Sequence, residues 1–135
     1  MALLEWNKEM SVKVEEFDEE HKILFGLIND FYDGIKTNPN GLNISKLLVG
    51  MKAYTKRHFR NEESVMQSYE YPDFESHKKE HDSFLEKMQA MEGKFAEGKL
   101  IVSFEVTNLL KDWIRLHIQG VDKQYSDFLN SKGVR

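Results

Sequence analysis

The chain has 135 residues, 40% of them hydrophobic, which suits one domain with a single core, so we predict one domain over residues 1–135. Positively and negatively charged residues are mixed along the chain, and the net charge is -4. This charge distribution argues against nucleic acid as a partner. No cysteine is present, so iron–sulfur clusters and cysteine-bound zinc are excluded, and any metal must be held by nitrogen and oxygen.

Four segments show the periodicity of amphipathic helices, at about residues 18–36, 44–69, 74–95 and 103–119. Asp18 is the predicted N-cap of the first segment. The breaker TNPNG at 37–41 ends this segment, and YPD at 71–73 separates the second from the third. We expect Gly120 to break or distort the fourth helix before a short tail.

Apolar residues at helical spacing are expected to form the core: Leu24, Ile28, Phe31, Ile35, Leu47, Leu48, Met51, Tyr54, Val65, Met66, Phe74, Phe84, Leu85, Met88, Met91, Val106, Leu109, Leu110 and Trp113. The short tail carries Tyr125, Phe128 and Leu129. Short connections favour antiparallel neighbours. The predicted fold is therefore an all-α, antiparallel, up-down-up-down four-helix bundle with an N-terminal arm and a short C-terminal tail.

All five histidines lie on the predicted core-facing stripes: His21, His58, His77, His81 and His117. Each buried imidazole needs polar partners, and a small core cannot easily supply five independent sets. A shared metal would satisfy them together. Because residues four apart point the same way on a helix, His58 with Glu62, and His77 with His81, form two chelating pairs.

The carboxylates are assigned less directly by spacing. Only the four-residue offset from His58 favours Glu62 over Glu63, which is then expected on the solvated flank. Asp122 follows His117 by five residues, about 140° away on a regular helix, so spacing leaves open whether it joins the site.

Glu80 is a rival oxygen ligand, because it lies three residues after His77. Its neighbours Lys78 and Lys79 favour an exposed position instead. Imidazole and carboxylate suit iron, manganese, zinc or copper, so ligand type does not name the metal.

Ligand count is more informative than ligand type. If Glu62, Asp122 and one oxygen atom bridge two metals, five histidines complete six positions on one metal and five on the other. A pair of octahedral metals would then keep one vacant position, which a reversible small-ligand site requires.

Four motifs carry these residues: FDEEHKILF, HFRNEE, HKKEH and WIRLHIQGVDKQY. In order and spacing they resemble the hemerythrin family, specifically its single-domain bacterial members, over nearly the whole chain. The resemblance implies a four-helix bundle that binds dioxygen reversibly, for transport, storage or delivery, at a non-heme di-iron centre. It also implies that the protein is not an enzyme.

Residue by residue, the resemblance implies two iron ions per chain joined by an oxo or hydroxo bridge. His77, His81 and His117 would hold a six-coordinate iron, and His21 and His58 the five-coordinate iron that binds dioxygen. Glu62 and Asp122 would bridge the irons, and it is the resemblance that selects Asp122. The oxygen pocket would be lined by Leu24, Phe59, Trp113, Ile114 and Ile118.

Other functions predict different patterns. A ferritin-like di-iron enzyme carries Glu-x-x-His motifs, and here no glutamate precedes a histidine by three residues. Action on peroxide, nitric oxide or iron, and an oxygen-sensor role, stay open. A phosphotransfer bundle needs one exposed histidine rather than five inward ones, and a metal-free or zinc-binding structural bundle would lack the absorption of a di-iron centre.

No apolar run approaches the ~18 residues of a membrane-spanning helix, so no membrane insertion is expected, and we expect a cytoplasmic location. An oxygen-consuming enzyme is a candidate partner. The sequence leaves open whether the protein is a monomer or a homo-oligomer.

Overall fold

The computed structural model describes residues 4–37, 41–96 and 104–135, with side chains described for 4–34, 46–93 and 110–135. After a short 3₁₀ turn at Lys8–Met10, the helices are α1 (Glu15–Thr37), α2 (Gly41–Ser68), α3 (Phe74–Ala96), α4 (Phe104–Leu116) and α5 (Lys123–Ser131). A π-helical segment, His117–Asp122, joins α4 to α5. The four predicted helices are confirmed. Each of the first three begins and ends within three residues of its predicted bounds.

The bundle core is built from the predicted stripes. α1 packs against α2 and α4, and α2 packs against α3. Most of the predicted core residues within the described side chains are buried, and the others pack partly buried against them. Ile35, Val106 and Leu109 lie outside the described side chains. None of the described helices is long and apolar enough to cross a membrane.

The predicted N-terminal arm contributes to the core. Leu4, Val12 and Val14 are buried, and the amide of Asn29 on α1 holds the Leu4 backbone by two hydrogen bonds of 2.8 Å. The prediction of Asp18 as the N-cap of α1 is wrong, because the helix begins three residues earlier. The Asp18 carboxylate instead accepts hydrogen bonds from the arm, from the Ser11 hydroxyl (2.6 Å) and the Val12 N–H (2.8 Å).

The end of the bundle differs from the predicted tail. The backbone stays right-handed helical from Leu116 to Lys123, so the helix is distorted into a π-segment around Gly120 but is not broken. The residues predicted as a tail form α5, which buries Tyr125 and Leu129 completely. Burial of this apolar face keeps α5 packed against the bundle.

Candidate metal centre

The seven predicted ligands converge in the middle of the bundle, and each is at most 4% exposed. α1, α2, α3 and the π-segment all contribute. Within the described residues, ligand atoms that lie within 4.8 Å of one another fall into two groups. One holds three histidines and the other two, and both include the same two carboxylates: His77, His81 and His117 in the first, His21 and His58 in the second, with Glu62 and Asp122 shared.

Asp122 contacts both groups. Its Oδ1 lies 2.8 Å from His77 Nε2 and 3.0 Å from His117 Nε2, both in the three-histidine group. Its Oδ2 lies 3.2 Å from His21 Nε2, in the two-histidine group. The two oxygens thus face different groups, which is the arrangement a bridging carboxylate needs.

Glu62 also reaches both groups. Its Oε1 lies 3.4 Å from His58 Nε2 and 3.3 Å from His81 Nε2, and its Oε2 lies 3.4 Å from His21 Nε2. The fully buried Tyr125 donates a hydrogen bond of 2.5 Å to Oε2. Burial and the charges of Glu62 and Asp122 raise the pKa of Tyr125 well above its usual value, so its hydroxyl stays a donor.

The π-segment explains how His117 and Asp122 meet. On a regular helix, residues five apart are about 140° from the same face. In a π-helix, whose hydrogen bonds run from residue i to i+5, residues five apart are one turn apart. One wide turn therefore brings both side chains to the centre, and π-segments of this kind are frequent at functional sites.

The centre concentrates charge in a buried volume. Burial disfavours the charged form of His21, but the nearby carboxylates of Asp122 and Glu62 outweigh this effect and raise its pKa to about 10. Burial also disfavours the charged form of His81. Its hydrogen-bonding carboxylates, Glu62 and Glu63, outweigh this effect and raise its pKa to about 9. Burial alone would raise the pKa of Asp122. The charge of His117 and the close contacts with His117, His21 and His77 outweigh burial and hold this pKa well below its usual value.

Within the part of the chain that the structure describes, several polar atoms of the centre are buried without a hydrogen-bond partner: both ring nitrogens of His21, His77 Nε2, Glu62 Oε1 and both oxygens of Asp122. Buried polar atoms are nearly always paired, because an unpaired one costs a few kcal/mol. Nitrogen and oxygen donors aimed at common points are satisfied together by bound cations. The donor set therefore fits a pair of metal ions.

Three further carboxylates contact the centre from outside, and spacing did not identify their role. Glu63 was expected on the solvated flank, but it is only 15% exposed and lies 2.7 Å from His81 Nδ1. Glu80 is 47% exposed, as predicted, and belongs to neither group, yet it lies 3.0 Å from His117 Nδ1. Glu20 lies 2.7 Å from His58 Nδ1.

The apolar residues predicted to line an oxygen pocket lie deep in the bundle, with Leu24, Ile114 and Ile118 each 1% exposed. Phe59 is also buried and stacks on His81, with ring centroids 3.8 Å apart. Trp113 is half-buried and stacks on His117 at 4.6 Å. The two aromatic residues therefore pack against histidines of the three-histidine group.

With this geometry in place, comparison with known proteins identifies the class. The family model described as the hemerythrin HHE cation binding domain matches residues 12–129. The bundle also superposes on a solved wild-type hemerythrin with a TM-score of 0.89 and 35% sequence identity, covering 93% of this chain and 97% of that one. The chain belongs to the hemerythrin family.

Two named relatives match over most of their length. A bacteriohemerythrin of Methylococcus capsulatus is 35% identical over 132 residues, which cover 97% of this chain and all of that protein. A myohemerythrin of Theromyzon tessulatum is 34% identical, over 90% of this chain and 89% of that protein.

Proposed function

We propose that the protein binds dioxygen reversibly at a non-heme di-iron centre. The observation that carries this proposal is the division of the buried ligand atoms into a three-histidine and a two-histidine group that share two carboxylates. Membership of the hemerythrin family supports iron as the metal and oxygen binding as the activity.

The proposed ligands follow from the two groups. His77, His81 and His117 hold one iron, His21 and His58 hold the other, and Glu62 and Asp122 bridge them. With an oxo or hydroxo group shared between them, the iron held by His21 and His58 would have fewer protein ligands than the other and would offer the position for dioxygen. When bound, the irons supply the electrons that oxygen binding requires.

The protein's own side chains orient and shield the centre. Tyr125 holds one oxygen of Glu62 by its short hydrogen bond. Leu24, Ile114 and Ile118 are buried apolar side chains, and we propose with Phe59 and Trp113 that they line the oxygen pocket and exclude water. Exclusion of water favours release of oxygen unchanged.

A role in oxygen transport, storage or delivery belongs to the same proposal, as does supply to an oxygen-consuming enzyme. We also propose a cytoplasmic location, which the absence of cysteine favours.

The test is metal analysis combined with absorption spectroscopy. Protein reconstituted anaerobically with ferrous iron should hold about two irons per chain. Its spectrum should change on exposure to oxygen and return when oxygen is removed. One iron or none per chain would refute the di-iron site, and an irreversible change would refute reversible oxygen binding.

A further inference from the structure

Three carboxylates outside the seven-residue cluster each accept a hydrogen bond at the outer nitrogen of one cluster histidine. Glu20 lies 2.7 Å from His58 Nδ1, Glu63 2.7 Å from His81 Nδ1, and Glu80 3.0 Å from His117 Nδ1. In each of the three histidines the other nitrogen, Nε2, lies within 3.4 Å of an oxygen of Glu62 or Asp122.

The three contacts follow one rule around the bundle. Glu20 reaches from α1 to a histidine of α2, Glu63 reaches from α2 to α3, and Glu80 reaches from α3 to the π-segment that continues α4. Each is also the sequence neighbour of a cluster residue on its own helix, since Glu20 precedes His21, Glu63 follows Glu62, and Glu80 precedes His81. Neighbours on a helix differ by about 100° in direction, so one points inward and the other toward the adjacent helix.

These contacts have a defined chemical effect. An imidazole that donates its Nδ1–H to a carboxylate is fixed in one tautomer, with the Nε2 lone pair directed at the cluster. The anionic acceptor also makes the imidazole a more basic ligand. A more basic ligand stabilises a metal ion in its higher oxidation state, so it lowers the reduction potential.

The three carboxylates differ in how strongly they can act. Glu63 is 15% and Glu20 20% exposed, and both lie 2.7 Å from their histidines. Glu80 is 47% exposed and lies 3.0 Å away, so water screens it more. Asn61 donates hydrogen bonds to both oxygens of Glu20 (3.2 and 3.0 Å) and holds it in place.

We propose that Glu20, Glu63 and Glu80 are positioning residues that fix the tautomers of His58, His81 and His117 and lower the reduction potential of the di-iron centre. The inference rests on the proposed function. Glu20 and Glu63 exert the larger effects, and Glu80 the smaller one.

The test replaces each carboxylate by its neutral amide in the iron-loaded protein. Glu63→Gln keeps an oxygen acceptor of the same size, so it removes charge and little else. We expect about two irons per chain to remain, and the reduction potential to rise by about 59 mV, which corresponds to a tenfold change for one electron. Glu20→Gln should behave alike, and Glu80→Gln should shift the potential less.

Glu86→Gln is the matched control, because Glu86 is an exposed glutamate on α3. It should leave the potential unchanged. A purely structural role for Glu63 would change iron content or thermal stability and leave the potential of the loaded protein where it was. An unchanged potential in both Glu63→Gln and Glu20→Gln, with iron bound, would overturn the proposal.

A second measurement is independent of oxygen binding. In zinc-loaded wild-type protein, nitrogen NMR should show His58, His81 and His117 protonated at Nδ1. Protonation at Nε2 would overturn the tautomer assignment. A wild-type protein that passes this measurement but fails to bind oxygen reversibly would refute the proposed function and leave the tautomer assignment standing.

Discussion

At the scale of single residues, Asp122 links more of the centre than its spacing in the sequence indicates. Its two oxygens face histidines from α1, α3 and the π-segment. Removing its carboxylate takes a proposed ligand from both groups at once. The histidines that faced it would also lose a buried anionic partner, which is costly in a core.

We therefore expect Asp122→Ala to reduce iron from about two per chain to less than one. Asp127→Ala is the control, because Asp127 is an exposed residue of α5 and should leave the iron content unchanged. Metal analysis after anaerobic reconstitution decides this, with circular dichroism to verify folding. Two irons retained in folded Asp122→Ala would show that Asp122 is not a bridging ligand.

A second prediction concerns the proposed pocket. Oxygen that leaves as peroxide needs protons, so a buried polar side chain near the centre should shorten the life of the oxygenated form. Ile118 is buried next to His117, and Ile118→Gln should keep both irons but autoxidise about tenfold faster, which corresponds to ~1.4 kcal/mol of lost kinetic protection.

Leu116→Gln provides the matched control, since Leu116 lies two residues earlier and is 66% exposed. Its oxygenated form should last as long as that of the wild type. The lifetimes are followed by absorbance after oxygenation. Equal lifetimes in Ile118→Gln and Leu116→Gln would place control of oxygen retention elsewhere in the protein.

At the scale of elements, most of the helices and the convergence of the paired candidate ligands could be predicted, because a regular helix has one period. His58 with Glu62 and His77 with His81 obey that period, and both pairs meet in the structure. Asp122 does not obey it. The position of Asp122 depends on the wide turn of the π-segment, for which the sequence carries no distinct signal except Gly120. Asp122 was therefore selected by the family resemblance and not by helical spacing.

The contacts that the sequence did not reveal have one physical source. Asp18 binds the arm rather than the helix end, Glu63 contacts a histidine of α3, and Glu80 contacts a histidine of the π-segment. These contacts are set by how neighbouring helices are rotated and how the arm folds back. Periodicity along one helix reports which side faces the core, but it does not report which residue of the next helix lies opposite.

Gly120 provides a prediction for the π-segment. It is exposed, its backbone is not in the left-handed region, and a Cβ there would meet nothing within 4 Å. The wide turn therefore does not require glycine. Gly120→Ala should keep two irons and raise the stability of the loaded protein by up to about 1 kcal/mol, since alanine favours helices.

A second test deletes Gly120. With one residue fewer, Asp122 follows His117 by four residues, and residues four apart point the same way on a regular helix. The segment can then close as a regular helix that still directs both side chains to the centre, so the iron content should stay at about two per chain. Loss of iron in Gly120→Ala or in the deletion variant, with circular dichroism still showing a helical protein, would contradict this account of the π-segment.

At the scale of the whole molecule, the bundle surrounds a charged cluster with an apolar core. The carboxylates of Glu62 and Asp122 stay ionised because histidines compensate the cost of their burial, and their pKa values lie below the usual range. Metal ions and protons therefore compete for the same histidine nitrogens. Folding and metal binding should depend on pH in opposite directions above neutrality.

The last prediction follows from this competition and concerns protein stripped of metal by a chelator. The pKa of His21 is raised from 6.5 to about 10 and that of His81 to about 9, so their stabilising effect is complete below about pH 6.5. It is lost as the pH rises through 9 to 10. The depressed pKa values of Glu62 and Asp122 contribute stability that is present above about pH 4.5 and lost in stronger acid.

The stripped protein should therefore have its highest Tm between about pH 4.5 and 6.5 and a falling Tm from pH 7 to 10. The iron-loaded protein should behave differently, because its ligands are already deprotonated. Its Tm should stay constant from pH 7 to 10. On acidification it should lose iron, because protons displace the metal. Thermal unfolding by circular dichroism of both forms at pH 5.5, 7 and 9.5 is the measurement. A Tm of the stripped protein that rises from pH 5.5 to 9.5 would show that the histidines of the cluster do not hold the protons assigned to them.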